Sequence, residues 1–182
     1  MGKLIYSMIT TLDGYIEDQN GDFQWGEPSE EVFVRINELE SSIGTMLLGR
    51  KMYDIMAVWD TYETNTTGEE DFARNWRAAK KIVYSTSLSD VITANTTIER
   101  KFDPAVVQKM VAESSKDFSI AGPQLTGQAI RAGIVDEFHQ YVVPIIIGGG
   151  VHWLPKDVQY KLDLVDAQKF DNGFVLLQYR KA

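Results

Sequence analysis

Hydrophobic residues along the chain alternate between short continuous runs and longer stretches with helical spacing. Five short runs, rich in β-branched and aromatic residues, lie at 3–10, 45–48, 81–84, 118–121 and 134–143. Short apolar runs of this composition, bounded by glycine or polar residues, are typical of strands buried in a sheet. The pattern therefore predicts five strands, each followed by a break in the apolar sequence.

Stretches with helical spacing separate these runs. After Pro28, apolar residues recur three and four positions apart up to Ile43, and carboxylates occupy the first turn, where the helix dipole favours them. Asp103-Pro104 is typical of a helix start, and Gly133 is typical of the position just after a helix end. We expect five helices, with starts near residues 28, 50, 71, 104 and 123.

The C-terminal end has a different pattern. Two β-rich runs, 162–170 and 174–179, flank Asp171-Asn172-Gly173. Asn-Gly between two such runs is the strongest short signal for a β-hairpin, whereas strands that alternate with helices favour parallel pairing. The expected fold is α/β, with a mostly parallel central sheet, helices on both faces and a C-terminal antiparallel β-hairpin. We expect one domain over residues 1–182.

Composition and charge narrow the range of partners. The 182 residues carry a net charge of −8 and include no cysteine. The absence of cysteine excludes disulfides, thiolate metal sites and cysteine nucleophiles, and an acidic surface repels nucleic acid. His139 and His152 lack a carboxylate partner pattern, so no metal site is expected. No segment resembles a signal peptide or a membrane span, so we expect a cytoplasmic protein with no membrane partner.

Three turns that follow predicted strands are candidates for an anion site. In Gly49-Arg50-Lys51 a glycine allows close backbone approach and two cations add to the positive end of a helix. Ser85-Thr86-Ser87 offers hydroxyls, and Gly122-Pro123 opens another helix. Open α/β sheets bind ligands beyond the carboxyl ends of their strands. The three turns together favour a phosphate-binding site, although each one alone also fits an ordinary polar connection.

One carboxylate is a candidate for proton transfer. Glu30 lies in the first turn of the helix that follows Trp25-Gly26-Glu27-Pro28. If it points into an apolar cleft, desolvation raises its pKa and allows it to donate a proton. The alternative is the commoner arrangement, in which a first-turn glutamate faces water and interacts only with the helix dipole.

Several short motifs keep a specific order and spacing along the chain. They lie at Thr11–Ile16, Leu48–Tyr53, Ile82–Thr86, Ala121–Gly127 and Ala132–Glu137, and are followed by Pro144 and three consecutive glycines. In this arrangement the chain resembles the dihydrofolate reductase superfamily. It is most similar to the branch that contains the reductase domain of the riboflavin-biosynthesis deaminase/reductase, and the resemblance covers nearly the whole length.

The resemblance implies a dihydrofolate reductase-like fold and a reductase that uses NADPH. Residues 49–51 and 122–126 match family turns that hold the cofactor phosphates, residues 85–86 match the loop at the adenosine 2′-phosphate, and two isoleucines match the nicotinamide side. The implied cofactor-binding residues are Ile9, Ile16, Gly49, Arg50, Lys51, Ser85, Thr86, Gly122, Pro123, Gln124, Leu125 and Thr126.

Departures from the family patterns concern the substrate. Riboflavin-pathway reductases carry a carboxylate two residues before the Gly-Pro of the cofactor turn, where this chain has Ile120. In folate reductases the acid that binds the pterin matches Glu30, but Met52 stands where those enzymes have threonine. The resemblance therefore implies a stand-alone NADPH-dependent oxidoreductase that transfers hydride to a small heterocyclic, imine or carbonyl substrate. Glu30 is the first candidate for a catalytic acid or substrate anchor, and Asp13 is the second.

The resemblance also implies a homodimer, with its interface at residues 138–143 or at the terminal hairpin. Because a fold does not fix a function, one alternative stays open. It is a non-catalytic NADP(H)-binding or dimeric scaffold protein on the same fold, which binds the cofactor without turnover.

Overall fold

The computed structural model describes residues 1–182, which form ten strands and five α-helices. Short 3-10 helices lie at Gln24–Gly26 and Ala57–Asp60. The strands are β1 (Leu4–Thr11), β2 (Tyr15–Glu17), β3 (Ile43–Gly49), β4 (Lys80–Tyr84), β5 (Thr96–Glu99), β6 (Asp117–Ala121), β7 (Glu137–Val143), β8 (Val151–His152), β9 (Leu162–Lys169) and β10 (Val175–Lys181). The α-helices are α1 (Glu30–Glu40), α2 (Arg50–Met56), α3 (Thr67–Ala78), α4 (Pro104–Glu113) and α5 (Pro123–Arg131).

Eight strands form one sheet in the order β5-β4-β3-β6-β1-β7-β10-β9. The pairs from β5 to β7 are all parallel, whereas β10 runs antiparallel to both β7 and β9. β2 and β8 form a separate two-stranded sheet. The expected fold class, a mostly parallel sheet with a C-terminal antiparallel hairpin, is confirmed.

Helices cover both faces of the sheet. On one face, α4 and α5 pack through Val107, Val111 and Ile130 against Leu47 and Ile120. On the other face lie α1, α2 and α3, whose buried side chains include Leu39, Tyr53 and Trp76. None of the helices combines the length and the apolar character needed to cross a bilayer. The second face leaves an opening between its helices and the sheet, and this opening becomes important below.

Helix starts follow local capping chemistry. The Ser29 hydroxyl accepts a hydrogen bond from the Val32 N–H, and the Asp103 carboxylate accepts from Ala105 and Val106. α3 begins at Thr67, four residues before the predicted start at Asp71. The reason is a capping box in which the Thr66 hydroxyl and the Glu69 carboxylate satisfy each other's backbone N–H groups. That signal, Thr-x-x-Glu, precedes the apolar stripe on which the prediction rested.

Strand boundaries differ from the prediction at β7, which begins at Glu137 rather than at residue 134. The intervening residues complete the end of α5: Gly133 adopts a φ of 71°, and the Ile134 N–H donates to the carbonyl of Ala129. β2, β5 and β8 were not predicted. They have two to four residues each and no buried side chain, so they lack the hydrophobic pattern that identifies a strand.

The structure also bears on the expected interface. β7 lies between β1 and β10 in the sheet. Its Phe138, Tyr141 and Val143 side chains are buried. Residues 138–143 therefore offer no free strand edge to a second copy of the chain. β9 forms one edge of the sheet, and its residues 163–167 are exposed in succession.

Candidate functional site

The three turns identified in the sequence meet at one edge of the sheet. β4, β3 and β6 are neighbours, with Gly49 in register with Tyr84 and Leu48 in register with Ala121. Their carboxyl ends therefore lie side by side. The segments that follow, 49–51, 85–87 and 122–126, emerge next to one another although the sequence separates them by more than 30 residues in each case.

Gly49 and Gly122 form the centre of this edge. A Cβ atom on Gly122 would lie 3.2 Å from both the Cα and the N atom of Gly49, and Gly122 has a φ of 106°. A side chain at position 122 would therefore be strained in the backbone and crowded against the neighbouring strand. The close approach leaves a narrow crevice of backbone between two helix starts.

No side chain caps either of these helix starts. Gly49 precedes α2 and Gly122 precedes α5, and glycine has no side chain with which to accept a first-turn N–H. In α5 the Thr126 N–H donates to the Gly122 carbonyl, whereas the N–H groups of Gln124 and Leu125 have no intrahelical acceptor. The Thr126 hydroxyl is buried and has no hydrogen-bond partner. These donors suit a phosphate oxygen.

Cations and hydroxyls meet beside the crevice. Arg50 Nη1 lies 2.7 Å from the Ser87 hydroxyl, which joins the turn after β3 to the turn after β4. The Ser85 hydroxyl instead accepts hydrogen bonds from the N–H groups of Ser87 and Leu88, so it shapes the loop. Thr86 is exposed at its tip. Arg100, which the sequence reasoning missed, donates to the carbonyls of Ser85 and Leu88 and holds this loop in place.

A cavity of about 550 Å³ opens next to the crevice, between the sheet and helices α1, α2 and α3. Its floor comes from β1, β3, β6 and β7, and its opposite wall is rich in aromatic and aliphatic side chains. Ile9 and Ile16 line it, as does Lys51, whose Nζ lies 2.6 Å from a Glu17 carboxylate oxygen. The aromatic lining residues are Phe23, Trp25, Phe33, Trp59, Phe72, Trp76 and Tyr141.

Glu30 and Asp13 lie outside this cavity. A Glu30 carboxylate oxygen accepts a hydrogen bond of 2.8 Å from the Gly68 N–H at the start of α3, which differs from both alternatives, an apolar cleft and contact with water alone. The Asp13 carboxylate accepts from the N–H groups of Ile147 and Gly148. The Thr11 hydroxyl and these backbone donors hold the pKa of Asp13 below its ordinary value. Both carboxylates thus brace segments around the site.

Another carboxylate, missed in the sequence, does line the cavity. Glu40 shares a face of α1 with Phe33 and Ile36, and its Oε2 atom is buried without a hydrogen-bond partner. Burial raises the pKa of Glu40 to about 7. The Trp25 indole N–H and the Tyr141 hydroxyl line the same cavity and are also buried without partners. The sequence feature that could have identified Glu40 is its position, seven residues after Phe33 and four after Ile36, which places a carboxylate on the apolar face of the helix.

Comparison with known proteins places this arrangement in a family. A model of the RibD C-terminal domain matches residues 2–176, which is almost the whole chain. The chain belongs to the RibD C-terminal domain family. The resemblance derived from the motifs is therefore confirmed.

Relatives of this RibD-type chain have low sequence identity to it. The uncharacterized protein YyaP of Bacillus subtilis (strain 168) is 27% identical over 184 residues, which cover 97% of this chain and 94% of YyaP. A crystal structure from Shewanella sp. PV-4, of a protein whose name refers to riboflavin biosynthesis, superposes with a TM-score of 0.79 at 16% identity. That match covers 100% of this chain and 99% of the other.

A third match is the deaminase/5-amino-6-(5-phosphoribosylamino)uracil reductase of Thermotoga maritima. It superposes with a TM-score of 0.67 at 15% identity and covers 100% of this chain but 57% of the other. At such identities the two solved structures show the shared fold and do not identify a substrate for this RibD-type chain.

Proposed function

We propose that this protein is an NADPH-dependent reductase that acts on a small heterocyclic, imine or carbonyl compound. The observation that carries the proposal is the contact between Gly49 and Gly122, where two uncapped helix starts meet beside a largely apolar cavity. Family membership supports it, because a RibD-type relative is named as a uracil reductase. The crevice suits a diphosphate, and the cavity suits a planar ring.

The residues present fit this cofactor. Backbone N–H groups at the start of α5 and the unpartnered Thr126 hydroxyl offer donors to phosphate oxygens. Arg50 and the loop that Arg100 holds offer positive charge and hydroxyls for a further phosphate. Ile9 and Ile16 offer apolar surface to a nicotinamide ring. When bound, the cofactor supplies a hydride; the protein's part is to orient the two partners and to exclude water from the cavity.

Arg50→Ala is expected to raise the dissociation constant for NADPH at least tenfold, about 1.4 kcal/mol. NADH binding should change much less, because a charge-assisted contact with the 2′-phosphate exists only in NADPH. Fluorescence titration with both cofactors measures the effect. Arg74→Ala, which removes an exposed α3 cation paired with Asp71, serves as the control. Equal losses for NADPH and NADH would contradict the assignment of Arg50 to the 2′-phosphate.

Turnover separates the reductase from a cofactor-binding scaffold. We expect NADPH oxidation with at least one compound from a panel of pterins, ribosylaminopyrimidines and cyclic imines. NADPH binding without oxidation by any member of the panel would favour the scaffold.

We also propose a homodimer that forms through β9. This strand is a sheet edge with unpaired backbone groups, and Leu164 and Val165 are each 57% exposed. Edge strands of this kind are ordinarily covered or blunted. Light scattering coupled to gel filtration is expected to give twice the chain mass of 20.6 kDa, and Val165→Lys should shift the mass to that of one chain. A wild-type protein that runs as a monomer would contradict the proposal.

A further inference from the structure

The polar groups of the cavity are unevenly distributed. Three carboxylates line it, those of Glu17, Glu27 and Glu40, whereas Lys51 is its single cationic lining residue. Lys51 is already paired with Glu17. The cavity lining therefore has more acidic groups than cations, and neither Glu27 nor Glu40 has a cation of the cavity wall as a partner.

Glu40 is the most isolated of these acids. It is the last residue of α1, at the helix end where the dipole disfavours a negative charge. Its Oε2 atom is buried and unpartnered. The charged neighbours on the same helix are Arg35 and Glu38, which bind each other at 2.9 Å. Arg35 is therefore already paired with Glu38, and the Glu40 carboxyl group is left free to bind a ligand.

Tyr141 faces the same space from β7. Its side chain is 1% exposed, it lines the cavity, and its hydroxyl has no partner. Burial raises the pKa of Tyr141, the Arg35 cation lowers it, and the Glu40 carboxylate raises it by a smaller amount. Glu40 and Tyr141 line the same cavity and form no hydrogen bond with each other. A carboxylate oxygen and a hydroxyl that can accept as well as donate are thus left without partners in one apolar cavity, which favours a ligand that binds both.

We propose that the cavity selects a planar substrate in its protonated, cationic form, a protonated imine or amidine-type heterocycle, whose N–H edge binds the Glu40 carboxylate and the Tyr141 hydroxyl. This inference rests on the proposed reductase function and specifies its substrate class. Where Glu40 is ionised, a neutral carbonyl compound leaves the carboxylate unpaired and an anionic substrate meets repulsion from it, so both are disfavoured.

The same arrangement accounts for a reduction without a separate proton donor in the cavity. Addition of hydride to the carbon of a protonated C=N group moves the π electron pair onto nitrogen. The positive charge disappears and the product is a neutral amine, so the reacting bond needs no further proton. If the imine enters neutral, the Glu40 carboxylic acid can transfer its proton to the imine nitrogen, and the same ion pair results. The neutral product then loses the charge pairing that held the substrate.

Benzamidine and benzamide provide matched probes, because they share shape and differ in charge. We expect the wild-type protein to bind benzamidinium at least tenfold more tightly than benzamide at about pH 7, in line with a charge-assisted hydrogen bond. Isothermal titration in two buffers of different ionisation enthalpy should show proton release on benzamidinium binding below about pH 7, because Glu40 must ionise. Benzamide should bind without proton release.

Variants assign the effect to the carboxyl group. Glu40→Gln, which keeps the side-chain shape, should lose the tenfold preference and the proton release while its benzamide affinity stays unchanged. Tyr141→Phe should weaken benzamidinium binding a few-fold and leave proton release in place. Glu70→Gln, which changes an exposed carboxylate of α3 that forms no ion pair, is the control and should behave as wild type. Absence of benzamidinium binding by the wild type, or an unchanged preference in Glu40→Gln, would overturn the proposal.

NADPH affinity is measured on the same samples and keeps the two hypotheses apart. It should be unchanged in Glu40→Gln, because the phosphate-binding turns lie at the other strand ends. Loss of the benzamidinium preference together with normal NADPH binding in the wild type would overturn the substrate class alone. Failure of the wild type to bind NADPH would overturn the proposed reductase.

Discussion

Gly122→Ala is expected to lower the affinity for NADPH by at least about a hundredfold, or ~2.7 kcal/mol. The added Cβ atom would lie 3.2 Å from the backbone of Gly49 and would force an alanine to a φ of 106°. If the backbone moves to relieve the close contact or the strained φ, the first turn of α5 shifts away from α2. This shift disturbs the crevice between the two helix starts. Fluorescence titration with NADPH measures the loss, and thermal unfolding shows whether the variant is folded.

Gly133→Ala is the matched control for this experiment. Gly133 lies just beyond the other end of the same helix, also with a positive φ, of 71°. Alanine there carries a comparable backbone strain of about 1–3 kcal/mol, so both variants should lose stability. Only Gly122→Ala should lose the cofactor. A Gly122→Ala protein that is folded and binds NADPH within about threefold of wild type would contradict the role of the crevice.

Much of the fold was accessible from the sequence because its strongest signals are local. The buried strands β1, β3, β4 and β6 are short apolar runs, and Asp103-Pro104, Gly133 and Asn172-Gly173 end or start elements through their own backbone preferences. β2, β5 and β8 escaped prediction because they are short and none of their side chains is buried, so they have no apolar pattern. β8 is recognisable only from its pairing with β2, more than 130 residues away.

The candidate site, like the fold, could be predicted from the sequence only in part. The convergence of residues 49–51, 85–87 and 122–126 follows from parallel pairing, since the carboxyl ends of neighbouring strands meet. Glu30 shows where local reasoning ends. Its first-turn position was evident, but its contact with Gly68 depends on how α1 packs against α3. Glu40 was missed for a related reason. An acid on the apolar face of a helix is recognised as a candidate site residue only once that face is known to border a cavity.

Glu40→Gln is expected to stabilise the fold at about pH 8, by up to about 3 kcal/mol, and to change little at about pH 4.5. The figure corresponds to a pKa raised by burial from 4.5 to about 7. Below pH 4.5 the carboxyl group is neutral in both the folded and the unfolded chain, so its burial adds no ionisation cost. Between 4.5 and 7 the folded state retains the proton that the unfolded state releases, and stability falls as pH rises. Glutamine never ionises and escapes this loss.

Urea unfolding of wild type and variant at the two pH values measures this difference. Glu70→Gln, an exposed change on α3 at a residue that forms no ion pair, is expected to give nearly the same difference from wild type at both pH values. If Glu40→Gln changed stability equally at both, packing rather than ionisation would account for it. A variant that is more stable at alkaline pH and yet loses its preference for benzamidinium would show a carboxylate retained at a cost to stability. Such a cost is typical of groups kept for binding rather than for folding.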